Sequence, residues 1–258
     1  MPNRVPMLLV FAWLAACTHS DPTARDRARA FAALPNWTGI WISDVWATTD
    51  ASGLPPGRVA ELTRKWVLKG PLPYNAQWQA RNEARQKDPA TAAFMANFKV
   101  CEFAFPMVMQ SPQTFQVVIT PEETLLVFEN QAARHIYTDG RKHTSPEDVW
   151  PTRFGESIGT WHGQTLVVDT IARRAGPLGI MPVDELSGEA RFTEHIRLVA
   201  PGRLEDVLTV TDPVAFTKPW EVRLTYSQVR GIDRMVNYDC DENDRNPIVN
   251  GQLGVANP

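Results

Sequence analysis

The sequence predicts a mainly β protein: an antiparallel, up-and-down meander closed into a barrel, with a helical insert near its N-terminus. Three observations carry this. From about residue 113 onward, one segment after another shows strand patterning, beginning with "TFQVVIT", where Phe115, Val117 and Ile119 fall on one face. The links between these segments, "PEE", "HG", "APG" and "RGI", are short and turn-like, as hairpins require. Nowhere do strands alternate with helices in the way that builds a parallel sheet. Closing such a meander on itself removes its exposed edges.

The N-terminus, "MPNRVPMLLVFAWLAACTHSD", has the character of an address. Its apolar run from Val5 to Ala16 is shorter than the roughly 20 residues a membrane span needs, and fits the core of a secretory signal over residues 1–16. "LAAC" at Leu14–Cys17 resembles a bacterial lipobox, which implies cleavage before Cys17 and lipidation of it. An ordinary signal peptide or an N-terminal anchor is the alternative. Thr18, rather than Asp, follows the cysteine and favours the outer membrane. The expected location is therefore periplasm-facing and lipid-anchored. Residues 17–34 form the lipidated cysteine and a tether with a short helix, and residues 35–258 a single domain.

Charge and cysteines narrow the class. The formal charge is −3, and no basic block marks a nucleic-acid surface. Three cysteines are present, and with Cys17 committed to lipid, Cys101 and Cys240 remain. In an oxidising compartment they are expected to pair, two buried thiols being the alternative. Such a bridge closes a loop of roughly 140 residues, worth about 5 kcal/mol at most.

The elements follow in order. "LPNWTGIWISDVW" opens the domain, and its Gly39-Ile40-Trp41 resembles the first-strand signature of lipocalins. The insert, about residues 56–99, has Val59, Leu62 and Trp66 at helical spacing, then the Ala-rich "NAQWQARNEARQKDPATAAFMANF", divided by Pro89. The strands that follow "TFQVVIT" are "TLLVFEN", "ARHIYTD", "SIGTWH", "QTLVVDTIARR", "ARFTEHIRLVA", "RLEDVLTVTD", "WEVRLTYSQV" and "DRMVNYDC".

One motif points elsewhere. "GESIG" at residues 155–159 spells G-x-S-x-G, a hydrolase nucleophile elbow. An elbow needs a strand before its serine and a helix after it, on an α/β sheet. Here "WPTRF" precedes, a hairpin at His162-Gly163 follows, and no such sheet is expected. Ser157 is therefore assigned to the start of a strand, not to catalysis.

"RHIYTDGRKH", "GESIGTWHGQTLVVDT", "RFTEHIRLVAPGRLEDVLTVTDPVAFTKPW" and "YDCDEN" together resemble a widespread family of secreted or lipid-anchored bacterial proteins with no established activity. The resemblance covers about residues 100–245 and supports a lipocalin-like barrel. This chain departs from the family pattern at Glu156 (usually His), His162 (usually Glu), Gln164 (usually Asp) and His195 (usually Arg).

Strand parity selects the candidate chemistry. It places Glu194 with Phe192, Ile196 and Leu198; Glu129 with Leu125 and Val127; Asp169 with Val167 and Ile171; and Tyr226 with Trp220, Val222 and Leu224. If these faces line one interior, Glu129, Arg134, Asp169, Trp220 and Tyr226 contact a ligand there. A carboxylate on an apolar face needs a partner or a proton, and Arg134, Arg141 and Arg197 are the candidate partners. In "YTDGRKH", the turn signal Asp139-Gly140 brings Asp139, Arg141 and His143 to the barrel rim, where Asp139 could orient His143 as a general base. A solvated turn is the bland alternative. His135, His143, His162 and His195 lack metal-ligand spacing, and neither a phosphate loop nor a dinucleotide fingerprint is found, so neither metal nor cofactor is expected.

Three functions remain open. A lipocalin-like barrel binding a small, mostly apolar ligand leads. A cofactor-independent isomerase, lyase or hydrolase would use Glu194, Asp139, His143 or Tyr137. A structural envelope protein would have a filled core. A small-molecule ligand and the membrane, through the anchor, are the expected partners; the oligomeric state is not legible.

Overall fold

The computed structural model describes residues 24–44, 72–89, 103–111, 113–130, 132–177, 185–235, 248–249 and 252–253. Residues 1–16, Cys17, Cys101, Cys240 and the expected helix around Val59–Trp66 lie outside this set. The chain divides into two compact units, Met1–Ala33 and Leu34–Pro258. The described part of the first unit carries helix α1 (Ala24–Ala32), none of whose residues is buried.

The second unit is a closed barrel of nine strands. They are β1 (Ile40–Ser43), β2 (Phe115–Ile119), β3 (Glu123–Phe128), β4 (Ala133–Tyr137), β5 (Glu156–His162), β6 (Thr165–Ile171), β9 (Arg191–Ala200), β10 (Arg203–Thr211) and β11 (Trp220–Gln228). Two short strands, β7 (Gly176–Pro177) and β8 (Glu185–Leu186), pair between β6 and β9. A last pair, β12 (Ile248–Val249) and β13 (Gln252–Leu253), stands apart from the barrel sheet. Around the barrel the order is β1-β11-β10-β9-β6-β5-β4-β3-β2, with β1 bonded to both β11 and β2. The mainly β, lipocalin-like barrel expected from the patterning is thus the fold, and Ile40 and Trp41 open its first strand directly after Gly39. The expected strand over "DRMVNYDC" is not formed at Asp233–Met235, the part of it that is described.

One pair breaks the antiparallel rule. β4 and β5 run parallel and meet only at Ile136↔Ser157 and Tyr137↔Ile158. Parallel neighbours cannot be joined by a tight turn, so residues 138–155 form a long crossover. Ala133, Arg134 and His135 consequently have no partner on β5. The β5–β6 and β9–β10 hairpins are tight, and Gly163 and Gly202 take positive φ at their turns.

The core is the barrel interior plus a plug. Trp41, Phe115, Leu126, Phe128, Ile136, Leu166, Val168, Phe192, Leu208, Val222 and Leu224 are all buried. Phe103, Phe105 and the 3-10 turn Met107–Gln110 supply further buried side chains. Arg173, buried, holds this plug: its Nε donates to the Phe105 carbonyl at 2.9 Å and its Nη1 to the Gly176 carbonyl at 2.9 Å. Burial lowers its pKa to about 10, against the pull of Glu185.

In the insert, α2 (Ala76–Lys87) starts at Asn75, whose side chain accepts from the Trp78 amide at 3.1 Å, and ends at Asp88, just before Pro89. Arg81 and Arg85 reach Glu185 at 3.1 and 3.0 Å, which docks α2 on β8. In "DPVAFTKPW", the buried Asp212 carboxylate accepts from the amide and hydroxyl of Ser187 and from the amides of Val214 and Ala215. That motif is a turn anchor.

Candidate functional site

Five neighbouring strands each turn one polar side chain inward. These are Arg134 on β4, Ser157 on β5, Thr170 on β6, Glu194 on β9 and Asp206 on β10, all buried. Arg134 forks onto Glu194, Nη1 to Oε1 at 2.8 Å and Nη2 to Oε2 at 2.5 Å. Its Nη2 also donates to Ser157 at 3.2 Å and Thr170 at 3.1 Å, and its guanidinium lies 3.8 Å over the Phe105 ring. Glu194 therefore faces the interior as parity requires, beside Phe192 and Ile196. Leu198, expected with them, is exposed, because β9 leaves the packed region after Ile196.

Asp206 adds a second carboxyl next to this pair. Burial raises its pKa well above the ordinary 3.8; the Glu194 charge adds to that, Arg134 opposes it, and a hydrogen bond to Glu194 favours the acid form. The belt is thus neutral overall: one guanidinium, one carboxylate and one carboxylic acid. Neither Asp206 oxygen accepts a hydrogen bond, and Arg134 Nε and the Tyr226 hydroxyl have no partner. Burial, with Asp206 and Glu194 nearby, raises the Tyr226 phenol well above its usual value. Arg134, Glu194 and Asp206 are each 0% accessible, so no water-sized space touches them. The belt is a packed core feature. Trp220 and Tyr226 share its inward face, as parity requires, Tyr226 packed edge-on to Phe115 with ring centroids 5.2 Å apart.

The motif G-x-S-x-G is accounted for here. The Ser157 hydroxyl is engaged by Arg134 and lies 2.8 Å from that of Thr170, on a strand that runs on through His162. Gly155 has φ 71°, and a Cβ on it would stand 2.5 Å from the Ile171 carbonyl oxygen. A Cβ on Gly159 would stand 2.8 Å from Ile136 Cγ2. Both glycines are required by chain path and packing.

Glu129 and Asp169 are corrections. On β3 the buried residues are Thr124, Leu126 and Phe128, and on β6 Leu166, Val168 and Thr170. The faces with Leu125 and Val127, and with Val167 and Ile171, point outward. Glu129 lies in the turn after β3 and accepts from the Thr114 amide at 3.1 Å. Asp169 sits on the outer wall, where Arg191 Nε and Nη2 donate to it at 2.8 and 2.5 Å.

Asp139 does not orient His143, a further correction. Asp139 clamps Arg141, from Nε at 2.9 Å and Nη2 at 2.6 Å, and Arg141 lies 4.0 Å over the Tyr137 ring. Arg141 is also what holds the Asp139 carboxyl below its ordinary value. His143 stands instead between two other acids, Nδ1 2.9 Å from Glu156 Oε2 and Nε2 3.2 Å from Asp169 Oδ2. Burial would raise Glu156, but the Thr144 hydroxyl and His143 outweigh it and lower its pKa. Burial would likewise raise Asp169, and Arg191 and His143 outweigh it. With a carboxylate on each nitrogen, the imidazole has no face left for a substrate proton. Arg197, one of the three candidate partners for an inward carboxylate, points outward and donates to Glu205 at 2.9 and 3.1 Å.

Among the described residues, two clefts open on the outer wall. One, of about 350 Å³, lies where the β4–β5 seam is unpaired, and His135, Tyr137, Val149, Trp150, Phe154 and Glu156 are among its lining residues. The other, of about 340 Å³, borders His143, His162, Val167 and Asp169. Trp150, on the crossover, is 80% exposed at the first cleft, and His135 stacks on Tyr137 with centroids 6.1 Å apart. Sequence reasoning missed this cleft, because its aromatic residues come from an irregular crossover that no periodicity marks. It also missed Asp206, which parity could have found: Leu204, Asp206, Leu208 and Val210 alternate on β10 as Phe192, Glu194 and Ile196 do on β9.

Among the described residues no group of three or more His, Cys, Asp or Glu side chains could hold a metal ion, and no helix is long and apolar enough to cross a membrane. No protein-family model and no curated protein matches the sequence.

Proposed function

We propose that this chain is a lipid-anchored, periplasm-facing barrel protein, held through Cys17, that binds a small, mostly apolar ligand in the cleft over the β4–β5 seam. The observation that carries the reading is that cleft: about 350 Å³, walled by His135, Tyr137 and Phe154, with Trp150 at its rim. Its volume lies within the roughly 300–1,000 Å³ usual for small-molecule sites. An indole 80% exposed on a barrel with a filled core is apolar area left available to a partner. Edge groups on Glu156, Asp148 and Thr144 supply the few polar contacts that orient a ligand. Parity alone points to the interior, but the packed belt around Arg134 favours the wall as the site. The lipobox spelling at Leu14–Cys17 supports the anchor, and the motif resemblance over residues 100–245 supports the envelope setting.

Mass spectrometry of small molecules released from natively purified protein tests the ligand. A molecule that co-purifies with the parent and is lost from Trp150→Ala, at unchanged melting temperature, is the expected result. Retention by Trp150→Ala overturns the cleft assignment. For the anchor, Cys17→Ala should move the protein from the membrane to the soluble periplasmic fraction, and unchanged membrane partition refutes lipidation.

A further inference from the structure

We infer that α1 is a membrane-surface helix that lays one face on anionic phospholipid. This does not depend on lipidation of Cys17 or on the ligand cleft. In α1, Ala24, Ala28, Phe31 and Ala32 recur at the spacing of one helical face. At 100° per residue, Arg27 flanks that stripe on one side and Arg25 and Arg29 on the other. An apolar stripe edged by arginines on both sides is the arrangement of a helix lying in a bilayer interface, its guanidinium groups at headgroup level.

Two observations call for a partner. All nine residues of α1 are exposed, Phe31 by 58%, so the stripe is open among the described residues. A helix this short is marginal alone in water, where isolated helices need about 12–15 residues. Arg25 and Arg29, four apart, also repel one another. A surface of negative charge removes that repulsion, accepts Phe31 and stabilises the helix together. Three arginines against the single Asp26 select an anionic lipid surface over a neutral one.

The test uses the chain from Thr18 to Pro258, which lacks Cys17 and therefore any lipid on it, since the barrel is complete within Leu34–Pro258. It is sedimented with vesicles of mixed phosphatidylglycerol and phosphatidylcholine, and with pure phosphatidylcholine. Binding is expected to the mixed vesicles, weakened by high salt. Each arginine removed should lower the partition about fivefold, so Arg25→Gln with Arg29→Gln lowers it about twenty-five-fold. Phe31→Ser should also lower it, and amide exchange in Ala24–Ala32 should slow only with the mixed vesicles. An unchanged barrel melting temperature shows that these variants fold. Equal partition to both vesicle types, or wild-type partition by the double arginine variant or by Phe31→Ser, overturns the inference.

Discussion

Asp206→Asn should stabilise the protein at neutral and alkaline pH, and Glu194→Gln should reverse the sign of that effect. The buried belt holds one cation, Arg134, and two carboxyls, Glu194 and Asp206. Its neutrality therefore requires a proton, and the raised pKa places that proton on Asp206. The native state keeps this proton at pH values where the unfolded chain, titrating near 3.8, has released it. The contribution of Asp206 to stability is thus greatest below that value and falls as pH rises toward the native pKa, by about 1.4 kcal/mol per pH unit. Asparagine carries no such proton linkage, and its amide can donate to Glu194 as the acid did. We expect a gain of about 1–3 kcal/mol at alkaline pH and a flatter pH profile. In a Glu194→Gln background, Asp206 is the remaining carboxyl beside Arg134, and it can ionise to replace the lost anion. Removing it as well leaves the buried guanidinium without a counter-charge, at a cost of about 3–5 kcal/mol. Urea denaturation of the two single variants and the double variant, at acidic and alkaline pH, closes the cycle. If Asp206→Asn destabilises the parent, or has the same effect in both backgrounds, the proton assignment is wrong.

Three further outcomes are expected. Gly159→Ala puts a methyl group 2.8 Å from Ile136 Cγ2 and 2.9 Å from Leu166 Cδ1, and should cost about 1–3 kcal/mol in urea denaturation; an unchanged midpoint would contradict the packing. Ser157, 2% exposed with its hydroxyl engaged by Arg134 and Thr170, should not label with a fluorophosphonate probe, whereas labelling that disappears in Ser157→Ala would restore the esterase reading. Cys101 and Cys240 lie outside the described residues, and non-reducing peptide mapping should find them joined; two alkylatable thiols in the folded, unreduced protein would exclude the bridge.

How far the sequence reached depended on whether a strand has one apolar face or two. On β11 only the inward side is apolar: Trp220, Val222, Leu224 and Tyr226 alternate with Glu221 and Arg223, and parity alone identifies the core. β9 works the same way, since Arg191, His195 and Arg197 occupy the other side of Phe192, Glu194 and Ile196. β3 and β6 differ. "TLLVF" and "LVVDTI" are apolar on both faces, so the alternation carries no sign and does not distinguish an inward from an outward Glu129 or Asp169. The barrel itself was legible because hairpin turns are local, but the parallel β4–β5 seam was not. It arises from contacts between Ile136 and Ser157, which no turn chemistry links. The wall cleft is a consequence of that seam. The residues that open it, Trp150 and Phe154, sit where the chain has no period for a sequence argument to use. The belt shows the converse. Each of its members is predictable from its own strand, but only closure of the barrel brings Arg134 to Glu194 across β5 and β6 and makes one proton the condition for burying both acids.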